Sequence, residues 1–348
     1  MRFIKIEDRI IGDGEKAFLM AEMSWIHNGD MKIAKEIVKK VAESKFDAIN
    51  FHLTHIPSYV TEDHTVDGVN KYKYLDKINL TPEENMELVK LAKSLGLFVS
   101  VMCNDLTSVT LAQKIEPHIV SVHSTTFLEE ELLMKIASLM KPVFLMVGGA
   151  TLGEIERGIS ILGKYRVEDY ALIDGFHSIP AIHENINLEL LNTIKALYGS
   201  PVGFADHMYG DSIDAIILPQ LAIAKGANII EKHVTLDRNA KIDGYEPALD
   251  SSKLNEFVEV FRRCEKAIGI SSITNFTEEE LTFREMTKKK TVAVRDIKKG
   301  EIITYRDMCF KLSNSGISPE FVSRVIGRRA LCGIKKDEGI TPEMYLEL

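Results

Sequence analysis

Cysteine is scarce. The 348-residue chain has four, Cys103, Cys264, Cys309 and Cys332, far apart and without a C-x-x-C pair. That argues against a disulfide framework and against a zinc knuckle. No stretch approaches the roughly 20 apolar residues of a membrane span. The opening segment, MRFIKIEDRIIGDGEK, carries charge throughout, where a signal peptide has an apolar core. No glycine-rich dinucleotide fingerprint follows the first apolar run. Positive charge is in deficit, with a formal net charge of -8. An acidic balance of that size argues against a nucleic-acid backbone or an anionic membrane as partner. It leaves an anionic small substrate open, because a local site can oppose the global sign. Together the absences describe a reduced, cytoplasmic, globular protein, long enough for one large domain and a small one.

What is present is alternation. Short apolar runs at 18–23, 48–53, 97–102, 119–122, 143–147, 170–173, 202–205 and 228–230 are separated by amphipathic segments. Runs this short and this apolar suit strands buried on both faces of a parallel sheet. Between them Ile33, Ile37, Val38 and Val41 fall at helical spacing, as do Leu132, Leu133, Ile136 and Leu139. Asp30, Thr81-Pro82 and Thr151 stand where N-caps or first turns belong. Eight such units predict an α/β fold of the (β/α)8 TIM-barrel type, typically about 250 residues. A doubly wound sheet is the alternative.

The barrel is expected over 1–268, ending in a helix at 252–267, with a polar linker at 269–290 that is helical in part from Thr277. The tail, 291–348, contains a near-repeat: Ile297-Lys298-Lys299-Gly300-Glu301 returns as Ile334-Lys335-Lys336-Asp337-Glu338. Tight turns flanked by β-branched residues predict a small, β-rich C-terminal domain.

In such barrels chemistry sits at the C-terminal ends of the strands. Those ends supply Glu22 and His27; Asn50, His52 and His55; Cys103, Asn104 and Asp105; Ser121, His123 and Ser124; Gly148-Gly149; Asp174 and His177; Asp206 and His207; Glu231, Lys232 and His233. Seven of the ten histidines are among them. His207 and His233, on adjacent strands with Asp206, Glu22 and Glu231 nearby, fit a divalent metal site. The plainer reading is that these histidines cap strands or bind water. Alternation turns Lys232 outward if Glu231 and His233 face inward, which makes it a structural ion-pair partner whose loss would leave a metal site largely intact.

Several segments together resemble the sialic acid synthase family: Ala21-Glu22-Met23, His27-x-Gly29-Asp30, Leu80-Thr81-Pro82-Glu83-Glu84, Gly203-Phe204-Ala205-Asp206-His207, and Glu231-Lys232-His233-x-Thr235-Leu236-Asp237-Arg238. The tail, with Val292-Ala293, Asp296-Ile297-Lys298-Lys299-Gly300-Glu301 and Gly316-Ile317-Ser318-Pro319, resembles that family's antifreeze-like (SAF) domain. The resemblance implies an enzyme that condenses phosphoenolpyruvate with an amino sugar or related aldose to form a nonulosonic acid. It implies manganese or magnesium on His207 and His233, with Glu22, His27, Asp206 and Glu231 as catalytic candidates. Asn50, His52, Ser121, Ser124, Asp174, His177 and Lys311 fall at its substrate-binding positions. It also implies a domain-swapped homodimer in which one chain's tail covers the other's barrel mouth.

The chain departs from that pattern where an anion should bind. Asn50 and His52 replace a lysine and a glutamine, Ser121 replaces a lysine, and Lys311 replaces the arginine lent by the tail. Each charge-assisted bond lost is worth roughly 1.5–3 kcal/mol. Two alternatives follow: a metal-dependent lyase, aldolase or hydrolase that no longer takes phosphoenolpyruvate, and a non-catalytic sugar-binding paralogue.

Overall fold

Side chains of successive strand residues point to opposite faces, and the eight apolar runs use that alternation to close a barrel. The structure, a computed structural model, describes residues 2–175, 181–269 and 276–346, in two units, 1–270 and 271–348. The barrel strands are Phe18–Glu22, Ala48–Leu53, Phe98–Cys103, Ile119–Val122, Val143–Met146, Tyr170–Asp174, Val202–Asp206 and Ile229–Thr235. All neighbours are parallel, and the eighth strand pairs with both the seventh and the first, so the sheet has no open edge. This is the (β/α)8 barrel expected from the sequence, and the doubly wound alternative falls.

The two faces carry different cores. Phe18, Met20, Ala48, Met102, Ile119, Phe144, Met146, Ala171, Ile173, Ala205 and Ile229 pack inside the barrel. Their neighbours, such as Leu19, Ile49, Val101, Leu145, Leu172, Phe204 and Ile230, pack outward against the helices. A hairpin of Ile4–Ile6 and Arg9–Ile11, which the sequence pattern did not announce, sends Ile4, Ile6 and Ile11 into the inner cluster. It seals the end of the barrel where the strands begin.

The connecting helices start where their caps dictate. Asp30 accepts the N–H groups of Lys32 and Ile33 ahead of Met31–Glu43. Thr81 with Glu84, and Thr151 with Glu154, form reciprocal capping boxes ahead of Pro82–Ser94 and Leu152–Lys164. Gly175 answers a closer constraint. A Cβ there would lie 2.3 Å from the carbonyl oxygen of Ala205 on the next strand.

In the second unit, Lys290–Ala293 and Met308–Lys311 pair antiparallel over a core of Ala293, Ile297, Ile303, Val325, Ile334 and Ile340. The near-repeat folds twice into the same turn. Gly300 and Asp337 both take positive φ, and Glu301 and Glu338 accept the N–H groups of Lys298 and Lys335. Ile297 and Ile334, the first residues of the two copies, bridge each other. Within the stretch read as a linker, Glu278–Thr287 is helical behind a Thr277 capping box.

Lys232 lies on the outer face, as alternation requires. Its Nζ is 2.6 Å from Asp206 Oδ2, and neither side chain is more than 1% exposed. Lys232→Met alone strands a buried carboxylate and should cost about 3–5 kcal/mol. Adding Asp206→Leu should return most of that loss. Urea unfolding of the two variants checks this, and equal losses would show that the pairing of charges is not what matters.

Candidate active site

The inner face divides by chemistry at the C-terminal ends of the strands. Working round the barrel, the inward positions are His207, then Glu231 and His233, Glu22, Asn50 and His52, Ser100 and Met102, and Ser121 with His123 just beyond. Phe144, Met146, Ala171 and Ile173 complete the ring. A polar arc from the seventh strand to the fourth faces an apolar arc on the fifth and sixth. Lys232 is the one cationic residue in all eight strands, and it points away.

His207 and His233 meet. Their Nε2 atoms are 3.3 Å apart and their ring centroids 4.9 Å. His207 Nδ1 lies 3.2 Å from the carbonyl oxygen of Ala205, which can only accept, so Nδ1 carries the hydrogen. That tautomer leaves the Nε2 lone pair toward His233, the form in which an imidazole binds a metal. Burial pulls the His207 pKa down to about 4, so the ring is neutral near pH 7. The 3.3 Å gap is the span of two nitrogens that each lie about 2.1 Å from one shared cation. The donor set therefore fits a divalent metal as a two-histidine grip. Among the described residues no group of three or more His, Cys, Asp or Glu stands ready-made around it.

Two carboxylates sit beside the imidazoles, nearly sealed from solvent. Burial first, and then the charge of Glu22, raise the Glu231 pKa well above the usual carboxyl range. Its Oε2 is buried with no hydrogen-bond partner. Glu22 is held by Asn50, whose Nδ2 donates to Oε2 at 2.5 Å, and by His52, whose Nε2 is 3.4 Å from Oε1. His27 lies in the loop after the first strand, buried, accepting the Gly29 N–H on Nδ1. Burial and the neighbouring His52 take its pKa down to about 4.

Other positions drawn from the sequence fall elsewhere. Asp206, expected among the catalytic candidates, faces the helices and is bound to Lys232 and the Met208 N–H. Asp174 continues the outward register of Leu172, and burial raises its pKa. The physical reason is the same for both: the last residue of a strand points inward or outward by parity, and these two have the wrong parity for the cup. Ser121 is inward but bonded to Ser100 at 2.8 Å, and Ser124 is half-buried in the turn beyond. Lys311 belongs to the second unit, paired with Asp337. His177 lies outside the described residues. Sequence reasoning passed over Ser100, and over Trp25, whose ring stands edge-on to His52 with centroids 4.7 Å apart. It also gave no role to His123, whose Nδ1 lies 2.9 Å from Thr125 Oγ1. Inward parity marks Ser100 and His123 in the sequence; nothing marks Trp25.

Comparison with known proteins agrees with this architecture. Residues 37–272 match the NeuB family and residues 291–346 match the SAF domain. An uncharacterized protein of Methanocaldococcus jannaschii is 32% identical over 338 residues, which is 97% of this chain and 96% of that protein. The N,N'-diacetyllegionaminic acid synthase of Campylobacter jejuni is 28% identical over 335 residues, covering 93% of this chain and 98% of its own. The crystal structure of the N-acetylneuraminic acid (sialic acid) synthetase of Leptospira borgpetersenii has a TM-score of 0.72 at 25% identity, covering 82% of this chain and 97% of that one. The barrel, the mouth it builds and the tail are thus shared over almost the whole length, and the chain belongs to the NeuB family as a divergent member with a C-terminal SAF domain.

Proposed function

We propose that the chain is a metal-dependent sugar-acid synthase, condensing phosphoenolpyruvate with an amino sugar or related aldose to form a nonulosonic acid. The observation that carries this reading is the meeting of His207 and His233 beside the buried Glu231. The names of the relatives support it. Manganese or magnesium on the two Nε2 atoms would polarise a sugar carbonyl. Glu231, its pKa raised by burial, is in reach of the same space and is placed to give a proton to an oxygen that gains negative charge. Glu22, tied by Asn50 and His52, keeps a fixed carboxylate behind the imidazoles. The apolar arc of Phe144, Met146 and Ile173 keeps water away from the other side. A homodimer in which one copy's tail, with Lys311, closes the mouth of the other belongs to the same reading.

One observation favours a second reading. No inward strand position carries a lysine or arginine, and the positions where the resemblance expects lysine are Asn50, bound to Glu22, and Ser121, bound to Ser100. A lyase, aldolase or hydrolase with a less anionic partner would use the same metal side. Phosphate release from phosphoenolpyruvate, with a panel of amino sugars and Mn2+, separates the two. Metal-dependent release is expected from the first reading, and its absence in a metal-loaded protein transfers the case to the second.

His207→Ala and His233→Ala should each weaken Mn2+ binding at least about 100-fold by calorimetry, within the range of losing a ligand. Binding unchanged in both would remove the centre of the site.

Acid should act in a defined window. His27 and His207 have folded pKa values of about 4 against an ordinary 6.5. Their neutral forms therefore contribute stability that is complete above 6.5 and is lost as pH falls toward 4. His27→Gln should flatten the fall in urea midpoint between pH 7 and about pH 4.5. An unchanged slope would show that His27 is not held neutral.

A further inference from the structure

The wall between the first and second strands has buried hydrogen-bonding atoms without partners. Asn50 is wholly buried and donates its Nδ2 to Glu22 Oε2 at 2.5 Å. A carboxylate accepts and does not donate, so the amide orientation is fixed and Oδ1 is an acceptor. That Oδ1 is buried without a partner. His52 turns Nε2 toward Glu22 Oε1 at 3.4 Å, and its Nδ1 is also buried without a partner. Behind them is the Glu22 carboxylate, and the Trp25 ring flanks His52. One unmatched donor, Trp25 Nε1, lies on the same side. No strand offers a cationic side chain to this wall.

A phosphate or carboxylate placed here would meet the Asn50 acceptor and the Glu22 carboxylate, with the Trp25 N–H to set against them. An N-acetyl group would bring a carbonyl oxygen to the same acceptors. A primary ammonium brings three donors and the opposite charge, and an aromatic ring beside it adds a favourable quadrupole. A hydroxyl on the adjacent carbon brings an oxygen that can accept from Trp25 Nε1. We infer that the wall of Glu22, Trp25, Asn50 and His52 binds the free ammonium group of an unacetylated amino sugar. This rests on reading the cup as a sugar site, and it is independent of which carbon donor the reaction uses. Asn50 Oδ1 and His52 Nδ1 are buried, so binding requires side chains of this wall to move, and the Trp25 ring stands against His52 with centroids 4.7 Å apart.

Trp25 is the chain's one tryptophan, which makes its emission a local probe. The full-length protein, metal-free and loaded with Mn2+, is titrated with glucosamine, mannosamine and galactosamine, with their N-acetyl forms, and with phosphoenolpyruvate. Calorimetry and Trp25 fluorescence are read together. At least one free amine is expected to bind about tenfold or more tightly than its N-acetyl form, with a change in emission. The preference should fade as pH rises past roughly 8, where an amine loses its charge. Asn50→Leu should abolish the preference. Asn50→Lys, which sets its own ammonium against Glu22, should do so as well, and it serves if the leucine variant does not fold. N-acetyl forms that bind as tightly as the free amines overturn the ammonium assignment and leave the sugar reading standing. Binding of neither form, with or without Mn2+, overturns both. A preference that survives in the folded variants overturns the location.

Discussion

The ladder between the seventh and eighth strands sets Asp206 opposite Lys232 and Ala205 opposite Glu231, and the chemistry of the barrel mouth depends on that register. On the outer face it makes a sealed ion pair. On the inner face, one residue further along each strand, it brings two imidazoles together. A slip by one residue would turn the lysine and the aspartate into the cup and the histidines into the helix layer. Two residues before His207, the Ala205 carbonyl meets its Nδ1, and Gly175, just past the sixth strand, leaves room for that carbonyl. The tautomer of one histidine is thus decided by a backbone oxygen that a neighbouring glycine makes room for.

Much of this was readable from the sequence, because a barrel strand is a short apolar run and a helix start is a capping residue. All eight runs became strands, and Asp30, Thr81 and Thr151 cap as their types suggest. The meeting of His207 and His233 could be expected because adjacent strands bring their ends together. Asp206 and Asp174 were misplaced because position at a strand end was counted and parity was not. Parity was applied to Glu231, Lys232 and His233, and there it gave the right faces. Trp25 and the Ile4–Ile11 hairpin carry no period at all. Trp25 reaches His52 through loop geometry, and strands of three residues are too short to show alternation.

The mouth joins two halves with different histories of constraint. The half proposed to hold a cation is built from His207 and His233, whose rings meet, with Glu22 and Glu231 inward beside them. The half that the family pattern devotes to anions is closed in on itself here, with Asn50 bound to Glu22 and Ser121 bound to Ser100. Replacing lysines by small polar residues that find partners nearby avoids leaving buried groups unpaired across most of that surface. Asn50 Oδ1, His52 Nδ1 and Trp25 Nε1 are the exceptions, buried without partners. In a low-dielectric cup, sign matters more than size, and the sign on this side is negative.

The hairpin that plugs the barrel floor has a consequence for assembly. It precedes every barrel strand, yet Ile4, Ile6 and Ile11 have no interior to enter until the eighth strand finds the first, more than two hundred residues later. During vectorial synthesis these three side chains are made before the strands and are among the last apolar groups to be sheltered. Ring closure and stoppering are therefore one late event, and a nascent chain that stalls before residue 229 leaves those three side chains open to any neighbour.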